Sequence, residues 1–198
     1  WHAGGYYVQE ASSMALAEVI ERLPLPERAL ALDMCAAPGG KTTLLASRLP
    51  PGSTLLANEV IAGRLPALKE NVTRWGAANV LITNNDPADF TTVPERFQFV
   101  LVDAPCSGEG LWRKQPEAIS QWSPEVVVFC AQRQQRILEA ASAALAPGGY
   151  LFYATCTFAE EENDAHLLRL SGRGFTPLRM PTMVDYGFSE TEIQPGAW

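Results

Sequence analysis

Short apolar runs of β type alternate with segments of helical spacing along most of this chain, and that alternation confines it to one fold class. The β-type runs are 29–32, 54–57, 80–83, 97–102 and 150–154. The helical segments are 9–23, 40–49, 62–75, 124–145 and 160–170. Proline cannot continue a helix and glycine readily caps one. Pro24 and Pro26, Pro50-Pro51-Gly52, Gly76 and Pro147-Gly148-Gly149 therefore stop the first four. Strands separated by helices predict an α/β fold, a mostly parallel sheet with helices on both faces. After Gly174 the pattern weakens. The 198 residues, 47% of them hydrophobic, suffice for one globular domain, or for one domain and a fragment. The chain opens on Trp1-His2 without an initiator methionine, and we read it as a piece of a longer protein.

In an open α/β sheet, ligands bind in the crevice beyond the carboxyl ends of the strands. The first run leads into Asp33-Met34-Cys35-Ala36-Ala37-Pro38-Gly39-Gly40-Lys41-Thr42 and then a helix. Small residues there let a ligand approach the backbone at a helix N-terminus. A P-loop would match at Gly40, Lys41 and Thr42. It fails at Cys35, which replaces the first glycine, and at Pro38, which has no N–H to offer a phosphate.

Acids stand at four successive strand ends: Asp33, Glu59, Asp86 and Asp103. An acid after the second strand can take both ribose hydroxyls. One after the third can reach an adenine amino group. A row of carboxylates repels a triphosphate but suits a nucleoside with a cationic neighbour. S-adenosylmethionine is such a ligand. NAD fits less well, because the turn after the first strand, 33–42, has no Gly-x-Gly.

Two cysteines also follow strands, Cys106 in Ala104-Pro105-Cys106-Ser107-Gly108 and Cys156 in Thr155-Cys156-Thr157. Beside a sulfonium methyl donor, a thiol suits C5 methylation of a pyrimidine. A thiolate adding at carbon 6 makes carbon 5 nucleophilic, and an acid serves N3 as the adduct forms. Chemistry alone does not say which thiol attacks.

The chain resembles the RNA cytosine-C5 methyltransferases of the Nop2/Sun (Fmu) family. The resemblance rests on 33–42, 103–110, 155–163 and the entry segment 5–13. Asn58-Glu59-Val60, Arg74-Trp75-Gly76 and 107–114 are most similar to the bacterial subgroup acting on 16S ribosomal RNA. Ala154 and Glu160 depart from the family's usual Ser and Pro. The resemblance implies a Rossmann-like fold and S-adenosyl-L-methionine as cofactor. It implies that Cys156 is the nucleophile and that Cys106 assists release. Asp103 would contact N3, and Lys41 would lie near the centre and orient Asp103 or the base. In DNA cytosine methyltransferases the Pro-Cys loop carries the nucleophile instead. Cys35, Ala36, Ala37, Pro38, Gly39, Gly40, Lys41, Glu59, Asp86 and Asp103 would hold the cofactor. Residues 1–26 read as a lead-in helical segment and 27–198 as the catalytic domain. A transfer-RNA substrate and a P-loop-like nucleotide-binding protein are the alternatives.

The net charge of −7, from 15 basic and 22 acidic residues, gives no global basic stripe for a polyanion. RNA contact must then be local, and Arg64, Arg113 and Lys114 are its candidates. Trp112 and Trp122 are candidates either for stacking on a base or for packing. Four cysteines without a CxxC, and two histidines, give neither a metal site nor a disulfide scaffold. Cys35 and Cys130 read as packing residues, His2 and His166 as surface residues, and Arg133 and Arg136 as salt-bridging or solvent-facing. A monomer in the reduced cytoplasm, acting on RNA and not on a membrane, is the expected setting.

Overall fold

The computed structural model describes residues 6–189, and His2 lies outside them. Five strands form one parallel sheet: β1 (Leu30–Asp33), β2 (Thr54–Asn58), β3 (Val80–Thr83), β4 (Phe97–Asp103) and β5 (Leu145–Ala154). Their order is β3-β2-β1-β4-β5. The chain steps outward from β1 to β3 and then returns to the other side of β1. The order therefore reverses between β1 and β4, which is where such sheets bind ligands. Asp33 and Asp103 end those two strands.

The helices are α1 (Ala15–Arg22), α2 (Gly40–Arg48), α3 (Leu65–Trp75), α4 (Pro124–Ala144) and α5 (Asp164–Ser171). Leu23 and Leu49, each followed by proline, leave helical geometry at ψ 133° and 148°. A residue before proline is driven to extended backbone, so α1 and α2 end there. At the end of α3, Gly76 adopts φ 74° and Ala77 N–H returns to the Val72 carbonyl, an ending that favours glycine.

The chain divides into two compact units. One runs to Ala104 and takes in Arg136–Ala154; the other comprises Pro105–Gln135 and the chain from Thr155 on. In the first, Leu16, Ile20 and Leu23 pack with Leu45 of α2 against Ala31, Leu55, Phe99 and Leu101 of the sheet. β4 is buried on every residue from Phe99 to Val102, as befits a strand covered on both faces.

Four segments differ from the sequence reading, one being the helix expected over 62–75, which opens as a 3-10 turn at Ala62–Arg64 before α3 begins at Leu65. The helix expected over 9–23 starts only at Ala15, after a 3-10 turn at Ser12–Met14. Tyr7 and Gln9 instead lie against Gly40. The strand expected from 150 begins at Leu145, which pairs with Phe97, while Tyr150 pairs with Phe99. Pro147-Gly148-Gly149 thus forms a bulge inside β5 and not a loop before it. A side chain at Gly149 would lie 2.9 Å from the Ala146 carbonyl and 3.1 Å from that of Gln98. The helix expected over 160–170 breaks at Asn163 (φ −121°, ψ −89°) into a 3-10 turn, Glu160–Glu162, and α5.

Candidate active site

In the first unit the glycine turn leaves β1 and enters α2. A Cβ at Gly40 would stand 2.7 Å from Gln9 Oε1 and 3.2 Å from the Tyr7 ring. Gly39 holds φ 111°, a conformation that other residues rarely adopt. The Ala37 N–H donates to Glu59 Oε2 at 3.3 Å, and the Ile61 N–H donates to Glu59 Oε1 at 2.9 Å. Arg64 lies 3.2 Å from Glu59 and donates to the Ala37 carbonyl at 2.7 Å. Arg64 therefore fastens the turn to the acid after β2. Pro38 offers its carbonyl to Asn71 at 2.8 Å.

Asp86 lies at an exposed helix cap, where it accepts the Ala88 N–H at 2.9 Å within a capping box completed by Asp89. Cys35 is half-buried. Asp33 is buried at the end of β1 and accepts the Thr42 hydroxyl at 2.7 Å. Burial raises its pKa to about 7 against the opposing pull of Thr42. Thr42, which would serve magnesium in a P-loop, is thus committed to Asp33. From the first turn of α2, Lys41 Nζ reaches Asp103 Oδ2 at 2.8 Å. Both groups are partly exposed, so the pair faces solvent at the strand-end crevice.

In the second unit the two thiols come together. Cys106 Sγ and Cys156 Sγ are 3.0 Å apart, with no disulfide between them. The Cys156 N–H also donates to Cys106 Sγ at 3.3 Å. Cys156 is exposed and Cys106 half-buried. The hydrogen bond with the Cys156 sulfur, followed by burial, pushes the Cys106 pKa upward, so Cys106 stays a neutral thiol.

The turns that carry the thiols are tied across. Gly110 N–H donates to the Cys156 carbonyl at 2.8 Å. Thr155 Oγ1 donates to Asn163 Oδ1 at 2.6 Å, and Asn163 Nδ2 holds the Thr157 and Ala159 carbonyls. Glu109 and Glu162 complete the ties. None of these anchors was singled out from sequence. Gln134 had a readable signal: it interrupts the apolar helical stripe of Val127, Cys130, Ile137, Leu138 and Ala141, all buried.

Arg113 and Lys114 are exposed just beyond the Cys106 turn. Trp112 and Trp122 pack edge to face, centroids 5.7 Å apart. Cys130 is buried, Arg133 lies over the Phe129 ring, and Arg136 approaches Asp86 at 3.9 Å. His166, expected at the surface, is buried within the α4–α5 packing of this unit. The apolar positions around it outweigh its own polarity because Gln134 and Arg169 satisfy both ring nitrogens. Among the described residues no cluster can hold a metal, and no helix is long and apolar enough to cross a membrane.

The family described as 16S rRNA methyltransferase RsmB/F matches residues 21–171. The chain is 45% identical over 170 residues to ribosomal RNA small subunit methyltransferase F of Salmonella paratyphi C. That match covers 85% of this chain but 35% of the relative, so the chain spans about a third of its curated relatives. Among solved structures, NSun6 from Pyrococcus horikoshii with SFG shares 29% identity at a TM-score of 0.79, over 91% of this chain and 45% of that one. A methyltransferase homolog from Pyrococcus horikoshii shares 32% at 0.73, over 90% and 56%.

Proposed function

Because the chain belongs to the RsmB/F family of 16S rRNA methyltransferases, we propose that the protein transfers a methyl group from S-adenosylmethionine to carbon 5 of a cytosine in 16S ribosomal RNA, in the cytoplasm. The observation that carries the C5 chemistry is the pair of thiols 3.0 Å apart, the Cys156 thiol exposed and the Cys106 thiol half-buried beside it.

The first unit fits this cofactor on its own geometry. Gln9 Nε2, beside the Gly40 turn, is buried without a hydrogen-bond partner among the described residues. The strand ends offer carboxylates and a proline where a pyrophosphate would want N–H groups, so they favour a cationic nucleoside. Residues Cys35 to Lys41, Glu59 and Asp86 would hold it, with Asp103 supplying negative charge. When bound, S-adenosylmethionine supplies an electrophilic methyl group.

The chain's own residues do the rest. The Cys106 S–H donates to the Cys156 sulfur and favours its thiolate. Cys156 attacks carbon 6, and the Lys41–Asp103 pair delivers a proton to N3. Once the Cys156 sulfur is bonded to carbon, the larger cause of the raised Cys106 pKa is gone and burial alone still holds its proton. Cys106 then gives its proton to solvent and takes the carbon-5 proton as general base. The electrons of that C–H bond restore the 5,6 double bond, the C6–S bond breaks, and N3 returns its proton. Cys156 leaves as thiolate beside a protonated Cys106, the starting arrangement. The target base must leave any stack to be reached.

The test is methyl transfer from labelled S-adenosylmethionine to 16S ribosomal RNA by the intact protein, read after digestion to nucleosides. Label in 5-methylcytidine is expected. Label on another base or on ribose contradicts the reading.

A further inference from the structure

Glu109 follows Cys106 by three residues, yet its carboxylate holds the other turn. Oε2 accepts the Phe158 N–H at 2.8 Å and the Thr157 hydroxyl at 3.1 Å, just beyond Cys156. Since Thr157 donates there, the Ser107 hydroxyl donates to Thr157 Oγ1, 2.9 Å away. Glu162 follows Cys156 by six residues and reaches in the opposite direction. Its Oε2 accepts the Ser107 N–H at 3.1 Å, immediately after Cys106.

Glu162 is fully buried, and Gln134 Nε2 donates to it at 2.7 Å. The same amide nitrogen donates to the Pro105 carbonyl at 3.1 Å, immediately before Cys106. The peptide groups on both sides of Cys106 are thus tied to one Glu–Gln pair. Two acceptors fix the Gln134 amide with its nitrogen toward Cys106. Its oxygen then faces His166, which must donate from Nε2 at 3.2 Å, leaving Nδ1 to accept from Arg169 at 3.3 Å. Every polar atom in this buried chain has its role set by the next, and such a network holds one geometry.

We propose that the two glutamates are positioning residues for opposite halves of the catalytic cycle: Glu162, through Gln134, sets Cys106 for release, and Glu109 sets Cys156 for attack. The inference rests on the reading of Cys156 as nucleophile and Cys106 as base. In release the carbon-5 proton goes to Cys106 and the C6–S bond breaks, so a displaced Cys106 slows that step and leaves adduct formation intact. A displaced Cys156 slows adduct formation instead.

Glu162→Gln tests the first arm at constant shape. One oxygen, Oε2, takes both the Ser107 N–H and Gln134 Nε2, so the substituted amide keeps both bonds only through an uncharged oxygen, with its NH2 at the Oε1 position facing the Ser107 N–H 3.4 Å away, donor to donor. Glu109→Gln tests the second arm by weakening the charge-assisted bond to Phe158.

The intact protein, its Cys106→Ala, Glu162→Gln and Glu109→Gln variants, and a 16S ribosomal RNA transcript with S-adenosylmethionine are sufficient. Protein–RNA adduct is read on a denaturing gel and 5-methylcytidine by nucleoside analysis. Glu162→Gln is expected to accumulate adduct as Cys106→Ala does, with release slowed about tenfold or more, the usual scale for losing a hydrogen bond to a charged group. Glu109→Gln is expected to form adduct more slowly, by a similar factor, without accumulation. If Glu162→Gln does not fold, Gln134→Met, which keeps the Glu162–Ser107 bond and loses the bond to Pro105, is expected to accumulate adduct to a lesser degree. Equal losses in both glutamate variants with no adduct in either, while Cys106→Ala accumulates it, overturn this assignment alone. If Cys106→Ala also leaves no adduct, the reading of the two thiols falls and the assignment with it.

Discussion

The Cys156 backbone N–H donates to the Cys106 sulfur at 3.3 Å, while the two sulfurs lie 3.0 Å apart. Cys106 is therefore engaged with both the backbone and the side chain of the same residue. Any displacement of the Cys156 turn changes both contacts together.

Gly110 is the most direct way to disturb it. A Cβ there would lie 2.9 Å from the Cys156 carbonyl oxygen and 3.4 Å from its carbon, both backbone atoms that cannot swing aside. Gly110→Ala is expected to push the turn away and cost about 1–3 kcal/mol, the scale of overpacking. Methyl transfer should fall at least tenfold. Gly63→Ala, with nothing within 4 Å of the added carbon, serves as control and should be neutral. Denaturant midpoints and turnover rates of the two variants check the contrast.

The Lys41–Asp103 pair is assigned to the proton on N3. Asp103→Asn removes that proton path while keeping shape, and kcat is expected to fall about a hundredfold or more, as for loss of a general acid. The KM for RNA should change little. Lys41→Met should lower kcat in the same direction. A KM effect with unchanged kcat in Asp103→Asn would make the residue a binding contact and not part of the proton path.

Much of this was legible in the sequence, for physical reasons. Five apolar runs punctuated by Pro and Gly located the strands, and β4 stands out most because a strand buried on both faces is apolar nearly throughout. Asp103, Cys106 and Cys156 stand out because unusual residue types follow those strands. The Pro147-Gly148-Gly149 bulge was not legible, since the same residues also end a helix and begin a loop. The three glutamates at 160–162 look alike in sequence and read as dipole partners for a helix, but only Glu162 is buried against Ser107 and Gln134. His166 was misread because a single histidine carries no periodicity of its own. Its burial follows from α4 and α5 packing together, which spacing alone does not fix.

His166 makes stability depend on pH. Burial, followed by the nearby Arg169, lowers its pKa from 6.5 to about 4. The folded value lies below the unfolded one, so between those values the unfolded chain binds the extra proton. The contribution is therefore complete above pH 6.5 and is lost as pH falls toward 4, by at most about 3 kcal/mol. Asp33 acts in the opposite sense, since its raised pKa favours the folded state as pH falls from 7. Urea midpoints at pH 7.5 and 5 for the protein and His166→Gln separate the two. The variant should show a smaller loss on acidification. Identical pH dependence in both would mean that His166 does not titrate in this window.

The division of labour between the thiols is tested most directly by trapping RNA that carries 5-fluorocytidine on Cys156→Ala and Cys106→Ala variants of the intact protein. A fluorine at carbon 5 cannot leave as a proton, so any adduct formed is retained. Cys106→Ala is expected to give the covalent complex and Cys156→Ala none. A covalent complex on Cys156→Ala, lost in Cys106→Ala, would make Cys106 the nucleophile and contradict the account.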